Sequence, residues 1–156
     1  MKDAVEEKNG IERGKKFESF FENFMTQQEG FIYIDKHCRS EVGEIDYFYR
    51  SEHEDHPLWK KCSYLFIECK NWEGTISSKE LDHFIRLLEA KNTFNCCGIY
   101  LTTSSLSPEA LTTIRDARIK QGMLIIPVDK TELSKLIENG FKAYIQQACD
   151  RLLAKA

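Results

Sequence analysis

Several features that would assign this chain of 156 residues to a particular compartment are missing from it. The first ten residues, MKDAVEEKNG, are polar and contain no apolar core, so we predict no signal peptide. No apolar run reaches the roughly 20 residues that a transmembrane helix needs. The six cysteines include no Cys-x-x-Cys pair, which argues against a cysteine zinc site and favours reduced, buried thiols. These absences predict a cytoplasmic protein with no membrane contact.

The chain also has no excess of positive charge. Its formal net charge is -3, and 30% of its residues are charged. This balance argues neither for nor against nucleic acid, because an acidic metal site would itself make the metal-free chain more negative. The apolar content of 42% is enough for one core. We therefore expect residues 1–156 to form a single domain, with its core at about 11–128 and terminal helices extending to 154.

The spacing of apolar residues predicts alternating helices and strands. Five residues repeat on one face of a first helix at 11–26: Phe17, Phe20, Phe21, Phe24 and Met25. Segments rich in aromatic and β-branched residues predict strands at 31–35, 43–50, 62–70, 97–102 and 123–128. Between and after them we predict helices at about 78–93, from Pro108 to Gly122, and after Asp129, where a terminal helix is broken near Gly140 and resumes to about Leu153. The pattern indicates an α/β domain with one central mixed sheet and helices on both faces.

Three polar signals predict where the later helices begin. Ser77 and Glu80 have the spacing of a capping box, and Ser107 precedes a proline at the first helical position. Asp129 and Glu132 repeat the capping spacing before the terminal helix. The segment SEHEDHPLWKK, at 51–61, is predicted to be a polar surface loop.

Charged residues occur within two of the predicted strands. Glu68 and Lys70 are two residues apart in LFIECK and therefore share one face of their strand. If the strands at 43–50 and 62–70 pair, Asp46 can lie beside Glu68. Burying such charges costs several kcal/mol per ion unless something compensates them. The compensation is either a structural salt bridge from Lys70 or a divalent cation bound by the two carboxylates.

These residues resemble a known pattern. Three short stretches, GKKFE at 14–18, GEID at 43–46 and ECK at 68–70, are similar to the PD-(D/E)xK nuclease superfamily. Within it they resemble the type IV, Mrr-like restriction endonucleases. The resemblance runs from about 14 to 128, and the αβββαβ core of that family matches the order of elements predicted above.

The resemblance implies a metal-dependent endonuclease that hydrolyses phosphodiesters, most often of DNA, in restriction, defence or DNA processing. It implies that Asp46, Glu68 and the backbone carbonyl of Cys69 bind Mg²⁺, for which Mn²⁺ can substitute. Lys70 would orient the attacking water and stabilise developing charge. Many relatives add a glutamate on the first helix, here Glu18, which lies at the border of the apolar face. The sequence equally allows Glu18 to be an ordinary glutamate on the flank of the helix, with no role in the site.

Other interpretations stay open at this stage. The chain is alternatively a non-catalytic nucleic-acid-binding or scaffolding subunit, or an α/β protein with a buried ion pair. Glu44 is a lesser site candidate, and Trp72 either stacks on a base or packs at the rim of the site. His53 and His56 are more typical of a surface loop than of a metal site. Because its positive charge is scattered, we expect the chain to act on nucleic acid as a homodimer or with a DNA-binding partner.

Overall fold

The computed structural model describes residues 10–91 and 95–155. The helices in these ranges are α1 (Gly10–Thr26), α2 (Pro57–Lys61), α3 (Ser78–Ala90), α4 (Pro108–Gln121), α5 (Leu133–Asn139) and α6 (Phe141–Ala154). The strands are β1 (Phe31–Arg39), β2 (Glu44–Ser51), β3 (Tyr64–Lys70), β4 (Cys96–Thr102) and β5 (Ile125–Val128). The predicted order is confirmed, with α2 added; positions 92 and 93 of the helix predicted at 78–93 lie outside the described residues. No described helix is long and apolar enough to cross a membrane.

The five strands form one mixed sheet in the order β1-β2-β3-β4-β5. β2 pairs antiparallel with β1 and β3, whereas β3, β4 and β5 are parallel. β3 lies in the centre, and its consecutive residues Leu65, Phe66 and Ile67 are all buried. A strand buried on both faces has apolar residues throughout rather than at alternate positions. The sheet thus has both parallel and antiparallel pairs, and the prediction of one central mixed sheet is confirmed.

Two apolar clusters cover the two faces of this sheet. One contains the phenylalanines of α1, with Phe17 and Phe21 almost fully buried, together with residues of α5 and α6. The other contains the apolar faces of α3 and α4. Helices therefore lie on both faces, as the sequence predicted, and α1 covers the face opposite α3.

The start of two helices follows the predicted capping signals. The side chain of Glu80 accepts a hydrogen bond from Ser77 N at 3.0 Å, which forms the capping box of α3. Ser107 Oγ accepts from Ala110 N at 3.0 Å and caps α4. Gly122 follows α4 with a φ of 66°, a left-handed conformation that glycine adopts at little cost.

Two local predictions are wrong. The segment at 51–61 is not only a polar loop, because α2 forms there with Leu58 and Trp59 buried and His56 Nδ1 accepting from Leu58 N at 3.1 Å. The spacing of Asp129 and Glu132 does not cap a helix. Asp129 Oδ1 accepts from Thr131 N at 2.9 Å, and the Glu132 side chain binds the hydroxyl of Tyr144 at 3.0 Å.

Candidate active site

The predicted acidic residues meet where β2 and β3 stop pairing. The last residues in register are Tyr47 and Ile67, and the next residue on each strand is Asp46 or Glu68. Asp46 Oδ2 accepts a hydrogen bond from the main-chain N–H of Cys69 at 2.8 Å. A carboxylate therefore takes the place of a backbone partner at this point of the sheet, which holds Asp46 against the end of β3.

Asp46 and Glu68 form a half-buried pair of carboxyl groups. A hydrogen bond joins their side chains, and burial raises the pKa of Glu68 well above its usual range, an effect that the charge of Asp46 increases. Burial also raises the pKa of Asp46, although the N–H of Cys69 opposes this. The other oxygen of Glu68, Oε2, is buried, and no residue that the structure describes forms a hydrogen bond with it. An unpaired buried oxygen is costly, so this pair is not satisfied by the protein alone.

Lys70 lies near the pair without neutralising it. Its charge opposes the rise in the pKa of both Asp46 and Glu68. Within the described ranges, however, Lys70 forms no ion pair, and its Nζ lies 5.0 Å from the centroid of the Trp72 ring. The structural salt bridge considered from the sequence is therefore not formed by any described residue.

Two glutamates of α1 have different environments. Glu18 is partly buried, and its pKa is raised first by burial and then by the charge of Asp46. Glu22, one turn later, is bound by the hydroxyl of Tyr47 at 2.7 Å and by Lys36 at 3.2 Å. Glu18 is therefore close enough to Asp46 for their charges to interact, and no hydrogen bond to its carboxylate comes from another described residue. The carboxylate of Glu22, in contrast, accepts the Tyr47 hydrogen bond that lowers its pKa.

Other candidates from the sequence lie outside the site. Glu44 shares a strand face with Asp46 but is exposed and binds Arg39 at 2.9 Å. His53 Nε2 lies 2.9 Å from the carbonyl oxygen of Glu29, and His56 is the N-cap residue of α2. Across residues 10–91 and 95–155, no three side chains of histidine, cysteine, aspartate or glutamate converge closely enough to hold an ion.

Sequence reasoning missed His37 and Asn71. His37 lies on β1 at a φ of 53°, after an irregularity in the pairing with β2. Burial raises the pKa of Asp46 and of Glu18, and a positive charge on His37 opposes this rise. Asn71 follows Lys70 and bonds to Arg13 and to Thr103. No spacing in the sequence signals either contact, since the first depends on strand pairing and the second joins residues distant along the chain.

The chain is similar to known proteins at the level of family and fold. The family described as restriction endonuclease, Mrr_cat, matches residues 12–137. Among solved structures, the DNA modification-dependent restriction endonuclease AspBHI is similar over 90% of this chain and 36% of its own, with 16% identity and a TM-score of 0.52. EndoMS in a complex with double-stranded DNA matches 76% of this chain and 44% of its own, at 16% identity and a TM-score of 0.43.

A third structure, Pyrococcus furiosus SfsA in complex with Ca²⁺, matches 74% of this chain and 55% of its own, at 15% identity and a TM-score of 0.40. The chain thus spans between 36% and 55% of the length of these solved proteins. No curated protein matches it. Because the family match covers most of the chain and AspBHI shares its fold, the resemblance to Mrr-like enzymes is confirmed, and the chain belongs to the restriction endonuclease family.

Proposed function

We propose that this chain is a metal-dependent endonuclease that hydrolyses phosphodiester bonds of DNA at the site formed by Asp46, Glu68 and Lys70. The observation that carries the proposal is that the charged groups of this cluster have hydrogen-bonding capacity that no described residue fills. Within residues 10–91 and 95–155, Glu68 Oε2 is buried without a donor, and the nearby ammonium of Lys70 forms no ion pair. A divalent cation at the carboxylates and a phosphate at the ammonium would satisfy both groups.

The donor set suits a hard cation such as Mg²⁺, with Mn²⁺ as a substitute. We assign Asp46, Glu68 and the carbonyl oxygen of Cys69 as its protein ligands. Mg²⁺ is commonly held by one or two carboxylates together with waters and substrate phosphates, so a third converging side chain is not required. When bound, such an ion polarises the phosphoryl oxygen and lowers the pKa of water.

Lys70 and Glu18 complete the proposed site. Lys70 carries three N–H donors that no described protein acceptor uses, so it can orient the attacking water and stabilise the charge that develops on the phosphate oxygens. Glu18 adds a third carboxyl group at the edge of the site, where it can accept a hydrogen bond from water. Its raised pKa follows from burial and from the nearby charge of Asp46.

The proposal is tested with a panel of duplex and single-stranded DNA and RNA substrates, incubated with Mg²⁺ or Mn²⁺ and read on gels. Asp46→Asn and Glu68→Gln should abolish cleavage while leaving the fold intact. Cleavage that survives in excess EDTA would contradict the role of the cation. A fully folded wild-type protein that cuts no substrate but binds DNA would favour the non-catalytic alternative.

Glu44→Gln is the matched control for these variants. Glu44 lies two residues before Asp46 on the same strand face, yet it is exposed and paired with Arg39. Its loss should leave cleavage unchanged. A second readout is independent of activity: Mg²⁺ should raise the melting temperature of the wild type and of Glu44→Gln, but not that of Asp46→Asn.

We further propose that the active form is a homodimer or includes a DNA-binding partner, in a restriction, defence or DNA-processing role. With a net charge of -3, a single domain is expected to bind the polyanionic backbone of DNA only weakly. Lys60 and Lys61 end α2 just before β3 begins, so they lie at the other end of that strand from Lys70. Light scattering during turnover should therefore detect an assembly larger than the monomer. A monomer that cuts both strands at full rate without a partner would refute this.

A further inference from the structure

The turn after β3, residues 71–74, carries an exposed aromatic side chain to the edge of the site. Trp72 is 42% exposed, which is unusual for the largest apolar side chain in a domain with a well-formed core. It lies two residues after Lys70, and the Lys70 Nζ lies over its ring, 5.0 Å from the ring centroid. Trp59, in contrast, is 2% exposed and belongs to the core.

This turn is held on both sides although it is at the surface. Asn71 Nδ2 donates to the carbonyl oxygen of Arg13 at 2.8 Å, and Asn71 Oδ1 accepts from Thr103 Oγ1 at 2.7 Å. The buried guanidinium of Arg13 forms an ion pair with Glu73 at 2.8 Å. The start of α1 and the end of β4 thus fix the residues that precede and follow Trp72.

The far end of the turn is fixed as well. The carbonyl oxygen of Gly74 accepts a hydrogen bond from Ser104 Oγ. A Cβ atom at position 74 would lie only 3.1 Å from Trp72 Nε1, so glycine leaves room for the indole. An aromatic ring on an anchored turn loses little conformational entropy when a ligand packs on it, which is a property of residues that dominate binding.

We propose that Trp72 is a stacking platform for one nucleobase next to the phosphodiester that is cut, an inference that rests on the proposed nuclease function. A nucleotide unit joins an aromatic base to a phosphate, and here an exposed indole adjoins an ammonium that no described residue neutralises. The base would pack on the exposed part of the indole while its phosphate approaches Lys70. Stacking on tryptophan tolerates any base, so Trp72 would add affinity and position the strand without reading its sequence.

The test combines variants of Trp72 with substrates that lack one base. A single abasic site is moved through the nucleotides flanking the cut, and kcat/KM is measured for the wild type, Trp72→Leu and Trp72→Phe. On intact DNA, Trp72→Leu should lose roughly 5- to 150-fold, the range found for base–aromatic stacking. Trp72→Phe, which keeps an aromatic face, should lose much less. At one abasic position the wild type should fall to the level of Trp72→Leu, and the variant should fall no further.

The abasic substrates separate stacking from an effect on Lys70. If Trp72 only covers the ammonium, the loss in Trp72→Leu will be the same on every substrate, and the proposal is overturned. Equal rates for wild type and Trp72→Leu on intact DNA would also overturn it. Both variants change an exposed side chain, and thermal melting will verify that they remain folded.

Tryptophan fluorescence keeps this test independent of cleavage. The chain has two tryptophans, and only Trp72 is exposed among them. In Asp46→Asn, an intact oligonucleotide should quench the emission, whereas the oligonucleotide lacking the stacked base should not. If Asp46→Asn shows this quenching but the wild type cuts no DNA, the platform is supported and the proposed function fails. Active cleavage without quenching would reject the platform alone.

Discussion

Replacing Glu68 by glutamine is expected to stabilise the metal-free protein at neutral pH, although it should abolish cleavage. Among the described residues Glu68 Oε2 has no hydrogen-bond partner, and an ionised carboxylate that is desolvated in this way beside the charge of Asp46 costs at least about 1–3 kcal/mol. Glutamine has nearly the same shape, carries no charge, and can donate its amide N–H to Asp46. We therefore expect the free energy of unfolding to rise by about 1–3 kcal/mol. For a chain of 156 residues this corresponds to a melting temperature higher by roughly 2–12 °C.

The stabilisation should depend on pH in a defined direction. The pKa of Glu68 in the folded protein lies above the value of 4.5 for a free glutamate, so the folded state retains a proton that the unfolded state loses. The free energy of unfolding of the wild type must then fall as pH rises from that value through the folded-state pKa. The advantage of Glu68→Gln should be small near pH 4.5 and should grow as the pH rises through the folded-state pKa of Glu68.

Urea and thermal unfolding in EDTA between pH 4.5 and 8.5 would measure this difference. Glu44→Gln is again the matched control, because an exposed ion pair such as Glu44–Arg39 contributes about 0–1 kcal/mol. Adding Mg²⁺ should stabilise the wild type and abolish the advantage of the glutamine variant. A Glu68→Gln protein less stable than the wild type at pH 8, or a difference independent of pH, would refute the reasoning.

Three further substitutions test the site, the turn that follows it and the packing of the sheet. Lys70→Ala should lower the single-turnover rate by about 100-fold or more with little change in DNA binding, and near wild-type turnover would remove Lys70 from the mechanism. Thr103→Val breaks the 2.7 Å bond to Asn71 and should cost about 1 kcal/mol in urea unfolding, with recovery in Thr103→Ser. Gly98→Ala places a Cβ 2.8 Å from Leu88 Cδ1, so we expect a loss of about 1–3 kcal/mol; an unchanged unfolding midpoint would contradict this close packing.

Most of the fold was predictable because its signals are local. The phenylalanines of α1 recur with helical spacing, and the fully apolar segments of β3 and β4 have the pattern of strands covered on both faces. α2 was missed because its two buried residues, Leu58 and Trp59, lie in a polar stretch too short to show periodicity. β1 was predicted to end at 35 because its continuation to Arg39 depends on pairing with β2 rather than on its own composition.

The candidate site was predictable in part for the same reason. The alternation of side chains along β3 places Glu68 and Lys70 on one face, and an acidic residue on the preceding strand suggested its partner. The bond from Cys69 N to Asp46 was not predictable, since it exists only because β2 diverges from β3 after Tyr47. The approach of His37 to the acids likewise depends on an irregular strand.

The sequence by itself determined the order of helices and strands except α2 and the apolar faces of the longer helices, and it singled out Asp46, Glu68 and Lys70 as the candidate site. These follow from side-chain periodicity and from residue chemistry within a few positions along the chain. Only the tertiary structure decided that Lys70 lies beside Trp72 instead of pairing with an acid, and that Arg13 and Thr103 anchor the turn that follows it. The contacts of Arg13 and Thr103 join residues far apart in sequence, and their geometry is set by how the sheet and α1 pack together.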